Sequence, residues 1–433
     1  MTRYIYRIII ALLFSTAVFA QETVYPAKPY AGLLFIKNAI VHVGNGQVLE
    51  NVTIQVSNGK IVKIAPDLPI PMDDVKVFDV KGKHVYPGLI LSGSLLGLVE
   101  VNSVRATIDH TEIGDFNPSI RSIVAYNTDS KVINTLRSNG ILLANITPQG
   151  GVISGSSSVV QLDAWNYEDA AYKMDNGIHL NMPDLLLRPN AGGAQSPATP
   201  DPIKKSLGEI EAIKTFFREA QAYNNEAKHL ATNLKYEAVK GLFNKSQKLF
   251  VHCDIVKEML VAVDFVKEFG MDVVIVGGNE SYQLAPLLKA NNMAVILNQM
   301  HSLPTLADDD VDQPYKTAAA LQKAGVLFAI NDEDGQTRGR NLPFNAGTAA
   351  AYGLTKEQAL QAITLNAAMI LGVGGRTGSL EPGKDANIVV SEGDILDMRT
   401  SIITHAFIQG RLIDLTDKHK QLYERYKMKY GIK

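Results

Sequence analysis

The stretch that decides the fold class is residues 249–297, LFVHCDIVKEMLVAVDFVKEFGMDVVIVGGNESYQLAPLLKANNMAVIL. Short apolar runs alternate in it with longer segments of helical periodicity. The predicted strands are 249–253, 273–276 and 294–297, and the predicted helices are 255–269 and 281–290. Short apolar strands joined by helices are typical of a parallel sheet with helices on its faces.

The same alternation continues on both sides of this stretch. Further strands are predicted at 85–91, 141–147 and 326–330, and further helices at 129–139, 204–243, 317–324, 345–352 and 356–365. About eight such units favour closure into a TIM-like (β/α)8 barrel over an open sheet. Residues 149–158 are interpreted as a structural turn. Residues 186–203, rich in Pro, Gly, Ala and Ser, predict a long loop, and whether it covers the barrel stays open.

Both ends of the chain are β-rich instead. Residues 34–43, 52–56 and 61–64 predict strands, with a hairpin turn at 57–60, and residues 386–390 and 402–412 predict two more. We therefore expect a small β-sandwich made of 32–84 plus 386–414, a barrel domain at 85–385 inserted between its two halves, and a C-terminal helix within 415–433.

Residues 1–20 have the pattern of a signal peptide. Two arginines, Arg3 and Arg7, precede a short apolar run, and small residues precede Gln21. The run is too short for a spanning helix, and no later stretch is apolar enough for one. We expect a periplasmic or secreted protein with no membrane span after cleavage. The single cysteine, Cys253, rules out an internal disulfide and a cysteine-based zinc cage.

Composition excludes two classes of protein. The 433 residues carry 42 Lys+Arg and 44 Asp+Glu, a net charge of −2, which argues against a nucleic-acid binder. With 46% hydrophobic and 20% charged residues, the chain is not an acidic disordered one. The expected partner is a small-molecule substrate or ligand. A homo-oligomer or a paralogous partner stays open.

Four short segments carry a family resemblance. They are VYPGLI at 85–90, NLPF at 341–344, TLNAA at 364–368 and GSLEPGKDANIV at 378–389. In this order they resemble the metal-dependent amidohydrolase superfamily, and most its imidazolonepropionase-like branch, over about residues 32–414. The resemblance implies a barrel inserted into a β-sandwich, and hydrolysis of carbon–nitrogen bonds other than peptide bonds. It also implies one or two metal ions at the carboxyl-terminal mouth of the barrel, which lower the pKa of bound water and polarise the carbonyl.

Most of the metal ligands that the resemblance implies are missing. The family carries His-x-His at the end of the first barrel strand, where this chain has Gly93 and Leu95. A slip of one residue would present Ser92 and Ser94, whose neutral hydroxyls are poor ligands for zinc. The sixth strand ends in glycines at 277–278 where the family has histidine.

Two implied positions remain. His252 matches the fifth-strand ligand, and Asp332 matches the eighth-strand carboxylate, with Asp334 as the alternative assignment. No fourth-strand ligand is identified between 178 and 248. The prediction is at most one weak zinc site held by His252 and Asp332, because catalytic zinc usually has three protein ligands. Three loop residues are candidates to complete it: Glu100, His110 and His301.

Three functions follow from this depleted site. The first is an exported hydrolase of non-peptide carbon–nitrogen bonds with a reduced or absent metal site, in which Asp332 and His252 are catalytic. The alternative is a catalytically inactive barrel that binds a small molecule or pairs with an active relative. The third is metal-free acid–base chemistry by the same two residues. A hydrogen-bonded interior histidine explains His252 equally well, and Cys253 is expected to be a buried, inert thiol.

Overall fold

The computed structural model describes residues 24–72, 75–186, 202–306, 308–332 and 338–432. Its strands are β1 (Leu33–His42), β2 (Val48–Ser57), β3 (Lys60–Ala65), β4 (Val75–Asp79), β5 (His84–Pro87), β6 (Leu89–Ser94), β7 (Ile141–Ile146), β8 (Ile153–Gln161), β9 (Ala171–Asn181), β10 (Lys248–Cys253), β11 (Val273–Gly277), β12 (Ala294–Leu297), β13 (Phe328–Ile330), β14 (Ile388–Ser391), β15 (Ile403–Ile408) and β16 (Arg411–Leu412). Its α-helices are α1 (Lys131–Arg137), α2 (Tyr167–Ala170), α3 (Pro202–Asn225), α4 (Leu234–Ala238), α5 (Lys240–Phe243), α6 (Val256–Phe269), α7 (Ala285–Ala290), α8 (Gln313–Ala324), α9 (Leu342–Ala351), α10 (Lys356–Ala362), α11 (Leu365–Ile370) and α12 (Lys418–Tyr430).

Two of the segments predicted from the sequence lie largely outside these ranges. The signal segment 1–20 and most of the loop 186–203 lie outside the described residues. Within the described ranges, no helix combines the length and the apolar character that crossing a bilayer requires.

The two ends of the chain meet in one composite sheet. Its strand order is β16-β15-β14-β5-β1-β2-β3, and β4 pairs with β1. Strand β14, from the C-terminal part, lies antiparallel between β15 and β5. Alternate residues of these strands enclose a separate apolar core that includes Leu34, Ile54 and Phe407. The predicted β-sandwich domain built from both termini is therefore confirmed.

The second sheet is the barrel. It contains the eight strands β6 to β13 in chain order. Strand β8 is antiparallel to both of its neighbours, and the other pairs are parallel. Only six residues separate β7 from β8, too few for the crossover that a parallel pair needs, so this connection must be a hairpin. The structural turn predicted over 149–158 is therefore wrong from Ile153 onward, where β8 begins.

An asparagine side chain closes the barrel. Asn331, which follows β13, accepts a hydrogen bond from Gly93 N at 3.2 Å and donates one to Gly93 O at 2.9 Å. This amide clasp replaces a pair of backbone hydrogen bonds between β13 and β6, and it pairs both the N–H and the C=O group of Gly93. The TIM-like barrel is confirmed, and its mouth lies at the carboxyl ends of the parallel strands.

A buried carboxylate joins four parts of the chain at the opposite end of β8. Asp163 accepts from Arg137 at 2.7 Å, from Arg411 at 3.2 Å and from the backbone N–H of Ala27 at 2.9 Å. The side chains of Asp163 and Arg137 are almost completely inaccessible to solvent. This Asp163 cluster connects α1, β16 and the segment before β1 to the barrel.

Candidate functional site

A cavity lies at the barrel mouth, beside the ends of β9 to β12. Its volume is about 290 Å³. We call it the mouth cavity, and its lining residues are Met182, Asp184, Leu186, His252, Cys253, Asp254, Ile255, Glu258, Val276, Asn298 and Thr305. In TIM barrels the reactive groups occupy this end. His252 lies in the wall of this cavity.

His252 is paired with a second histidine that the sequence analysis missed. His179 on β9 and His252 on β10 project from neighbouring strands, and His179 Nδ1 lies 2.8 Å from His252 Nε2. The His179 ring is buried and stacks on Phe250, with ring centroids 4.9 Å apart. The sequence around it, AYKMDNGIHLN, is not a continuous apolar run and gives no local signal. The β9 strand itself was not predicted.

Burial makes both members of this histidine pair weak bases. Loss of hydration lowers the pKa of His252 to about 4. Burial, and to a smaller extent the proximity of His252, lowers the pKa of His179 well below its ordinary value. Both rings are therefore neutral at pH 7, and one ring donates to the other. The second ring nitrogen of His179, Nε2, is buried and has no hydrogen-bond partner among the described residues.

The depressed pKa of His252 predicts acid sensitivity. The folded-state pKa of about 4 lies below the ordinary value of 6.5, so between these two pH values the unfolded chain binds more protons. Titration of this histidine should therefore lower the free energy of unfolding by up to about 3 kcal/mol as the pH falls from 6.5 to 4. Urea unfolding of the native protein and of His252→Gln at pH 7 and pH 4.5 measures the difference. Identical pH slopes in the two proteins would contradict the assignment.

Three carboxyl groups, those of Asp184, Asp254 and Glu258, share the mouth cavity with His252. Burial raises the pKa of Asp254 and of Glu258. Glu258 accepts hydrogen bonds from Leu185 N at 3.1 Å and from Asp254 N at 3.2 Å, which fixes the start of α6. Asp254 Oδ1 is buried without a described partner. The Cys253 thiol is buried, and burial raises its pKa well above the ordinary range, so it is a protonated, unreactive thiol.

Asp332 lies beyond the end of β13 in a different hydrogen-bonding group. It is buried, and Asn345 on α9 donates to its Oδ2 at 3.1 Å. Asn345 also accepts from Met300 N at 2.8 Å. In the described part of the chain, Asp332 is not among the residues that line the mouth cavity, and the hydrogen-bond partner of His252 is His179. Asp334 lies outside the described residues. The catalytic and metal-binding roles of His252 and Asp332 stay predictions.

Two of the implied ligand positions that lack a donor side chain, Gly93 and Gly277, differ in the room they leave, because a Cβ at residue 93 would make only ordinary contacts of 3.4 Å or more. Gly93 is held by the amide clasp. Gly277, at the end of β11, has a positive φ of 97°, and a Cβ built there would lie 2.5 Å from Asp254 Oδ1. A histidine at residue 277 would therefore be strained and would collide with that carboxyl group.

The donor atoms that the described residues place at the mouth do not fit a standard binuclear metal centre. Across the described ranges, no group of three or more His, Cys, Asp or Glu side chains is arranged to hold a metal ion. The two histidines bind each other's ring nitrogens, which occupies the lone pair that one of them would offer. The loop candidates have other partners: His110 bonds Thr111, His301 bonds Thr348, and Glu100 bonds Asn127 and Ser130.

Comparison with known proteins identifies the family. A model of the amidohydrolase family matches residues 285–413. The fold is that of an amidohydrolase from Thermotoga maritima MSB8, with a TM-score of 0.75 and 24% identity over 88% of this chain and 99% of the other. These similarities support an assignment of the chain to the amidohydrolase superfamily, which its sequence segments also resemble. An imidazolonepropionase of Thermoplasma volcanium is 38% identical over 86 residues, 19% of this chain and 21% of that protein, and this local match supports the imidazolonepropionase-like resemblance.

A longer but more distant match comes from a fungal relative. The amidohydrolase tasK of Hapsidospora irregularis is 22% identical over 386 residues, which cover 79% of this amidohydrolase chain. The chain spans only 38% of the length of tasK. Because the chain spans only part of the length of these relatives, its activity, bond and substrate are matters for proposal.

Proposed function

We propose that this amidohydrolase is an exported hydrolase of carbon–nitrogen bonds other than peptide bonds, with its reaction in the mouth cavity. The observation that carries the proposal is the position of His252. Its neutral imidazole lies in the cavity wall, and its Nε2 lies 2.8 Å from His179 Nδ1, which fixes the ring. Support also comes from the family match, whose members act at this end of the barrel. Cleavage of the signal segment after Ala20 belongs to the same proposal.

The histidine pair can serve hydrolysis as an acid–base group. His252 takes a proton from a water molecule as the water oxygen attacks the carbonyl carbon of the substrate. The carboxyl groups of Asp184 and Asp254 line the same cavity, and in their ionised form they stabilise the imidazolium ion that results. His252 then gives the proton to the departing nitrogen, and the carbon–nitrogen bond breaks. His179 positions the His252 ring through this cycle.

No step of this proposal passes through a metal ion. The family uses divalent metals, but the donor set of the described residues does not fit a binuclear centre. At most a weak zinc site at His252 and Asp332 is part of the proposal. Asp332 is then a positioning residue. It accepts a hydrogen bond from Asn345, which itself accepts one from Met300 N in the loop between β12 and α8.

A catalytically inactive barrel is the second candidate. The missing ligands at 93 and 277 favour it. Four buried polar atoms on barrel strands or at their ends also lack described partners: Ser92 Oγ, Asn145 Oδ1, His179 Nε2 and Asn298 Oδ1. Buried polar atoms are normally paired, so such atoms suit a barrel that holds a polar small molecule. Pairing with an active relative is the other form of this candidate.

Metal analysis of the purified protein tests the depleted site. After the protein is loaded with zinc and the excess is removed by dialysis, we expect clearly less than one zinc per chain, because two donors rarely retain the metal. His252→Ala and Asp332→Ala should contain no less zinc than the native protein. Elemental analysis with a parallel hydrolysis screen over cyclic amides and N-acyl amino compounds provides the measurement. One zinc per chain, lost in both variants, would show a functional metal centre. Hydrolysis of any amide in the screen separates the enzyme from the inactive barrel.

A further inference from the structure

A second cavity lies where the composite sheet meets the barrel. Its volume is about 660 Å³, and the residues that matter for its chemistry are Tyr30, Lys60, Trp165, Arg376 and Asp385. Gln161, the last residue of β8, also lines it. Because β8 runs antiparallel to the other barrel strands, this end of β8 faces away from the mouth. This junction cavity is therefore separate from the site of His252.

We propose that the junction cavity binds a planar organic anion, of the aromatic carboxylate class. The cationic side of the cavity is built around Asp385, which is buried. Lys60 binds it at 2.8 Å and Arg376 at 3.1 Å, and Tyr172 also donates to it. Burial alone would raise the pKa of Asp385, but the bonds from Lys60 and Tyr172 and the charge of Arg376 outweigh it and lower that pKa. One buried carboxylate thus holds two cations in place.

Both cations keep donors for a ligand. About half of each side chain, 53% for Lys60 and 49% for Arg376, is accessible to solvent. Among the described residues, Lys60 donates to Gly383 O and Asp385, and Arg376 donates to Tyr172 O and Asp385. An ammonium group has three N–H bonds and a guanidinium group five, so each retains N–H bonds for a carboxylate.

The orientation of Arg376 is fixed before any ligand binds. Its guanidinium group lies 3.9 Å from the centroid of the Tyr172 ring. The planar fork of arginine suits a carboxylate, and this stacking reduces the entropy lost when the ligand binds. Three cations (Lys60, Arg376 and Arg411) and three carboxylates (Asp163, Asp169 and Asp385) line the cavity, and the buried Arg137 paired with Asp163 adds one positive charge in excess.

The aromatic preference comes from Trp165. It is the only tryptophan of the chain, and 65% of it is exposed, which is unusual for so large an apolar side chain. Tyr25 contacts its ring, with centroids 6.1 Å apart, and Tyr30 forms another part of the wall. An exposed indole beside free cationic donors is a combination that binds a flat ring carrying a negative charge.

The single tryptophan makes the proposal directly measurable. Benzoate titrated into the full-length mature protein should quench the Trp165 fluorescence saturably, and calorimetry should give the same affinity. Benzamide lacks the charge and cyclohexanecarboxylate lacks the flat ring, so each should bind at least about tenfold more weakly. Lys60→Gln and Arg376→Gln should each weaken benzoate at least about tenfold. Lys63→Gln, on the same strand β3 but outside the cavity lining, should bind as the native protein does.

Three results would overturn the proposal. They are no saturable signal by either method, unchanged benzoate affinity in Lys60→Gln and Arg376→Gln, and loss of benzoate binding in His252→Gln, which would place the ligand in the mouth cavity. Thermal melting of each variant confirms its fold, and Lys60→Gln alters only a half-exposed side chain. The outcome is independent of the proposed hydrolase activity.

Discussion

We expect His252→Gln to lower the rate of hydrolysis of any amide substrate found in the screen by at least about 100-fold, while the barrel stays folded. General acid–base groups contribute about 100- to 10,000-fold to enzymatic rates, and glutamine keeps a hydrogen bond to His179 but cannot carry the proton. The steady-state rate constant kcat of purified native and variant proteins is the measurement. Since the missing group acts on the chemical step, kcat should fall more than KM rises.

A second histidine supplies the control for this experiment. His301 has the same ring, is bonded to Thr348 at 2.7 Å and lies outside the mouth cavity. His301→Gln should retain native kcat. If His252→Gln hydrolyses its substrate at the native rate, the histidine pair is not the acid–base group. If neither native protein nor variant hydrolyses any amide in the screen, the proposed hydrolase reaction loses its support and the second candidate, the inactive barrel, is favoured.

Asp163→Ala destabilises the protein by about 3–5 kcal/mol, the cost of leaving buried charges without their partner. The substitution deprives Arg137 and Arg411 of their carboxylate and Ala27 N of its acceptor. Arg137 is buried and cannot reach water in the folded state. Urea unfolding followed by circular dichroism measures the change in unfolding free energy.

An exposed neighbour gives the matched comparison. Asp169 lies six residues further along the chain and is exposed at the surface. Asp169→Ala should change the unfolding free energy by less than about 0.5 kcal/mol, as most surface substitutions do. A loss below about 1 kcal/mol in Asp163→Ala would show that the two arginines find other acceptors and that the cluster does not connect the domains.

Local periodicity was sufficient to predict most of the barrel. The parallel strands β10 to β13 alternate with helices and are apolar on both faces, so their type and order follow from residues close in sequence. Strand β8 was missed because it is rich in serine and glycine and lacks the apolar run expected of a buried strand. Its side chains are buried through pairing with β7 and β9, which is a tertiary effect.

The candidate site was only partly accessible from the sequence. His252 was found because it ends a strongly apolar strand, LFVH at 249–252. His179 was not, since its meaning depends on the register that sets it opposite Phe250 and within reach of His252. Register between strands is decided by the whole sheet, so a pair contributed by two strands leaves no local sequence signal.

The amide clasp bears on how such a barrel could be redesigned or could evolve. A Cβ at residue 93 would lie 3.4 Å from the Asn331 amide and 3.7 Å from Thr147, so an introduced histidine would sit in contact with the clasp that closes the barrel. At residue 277 the left-handed backbone raises a second obstacle. Reversion toward a zinc enzyme is therefore epistatic, because an imidazole at residue 277 strains the scaffold until the β11 turn and Asp254 are rebuilt together.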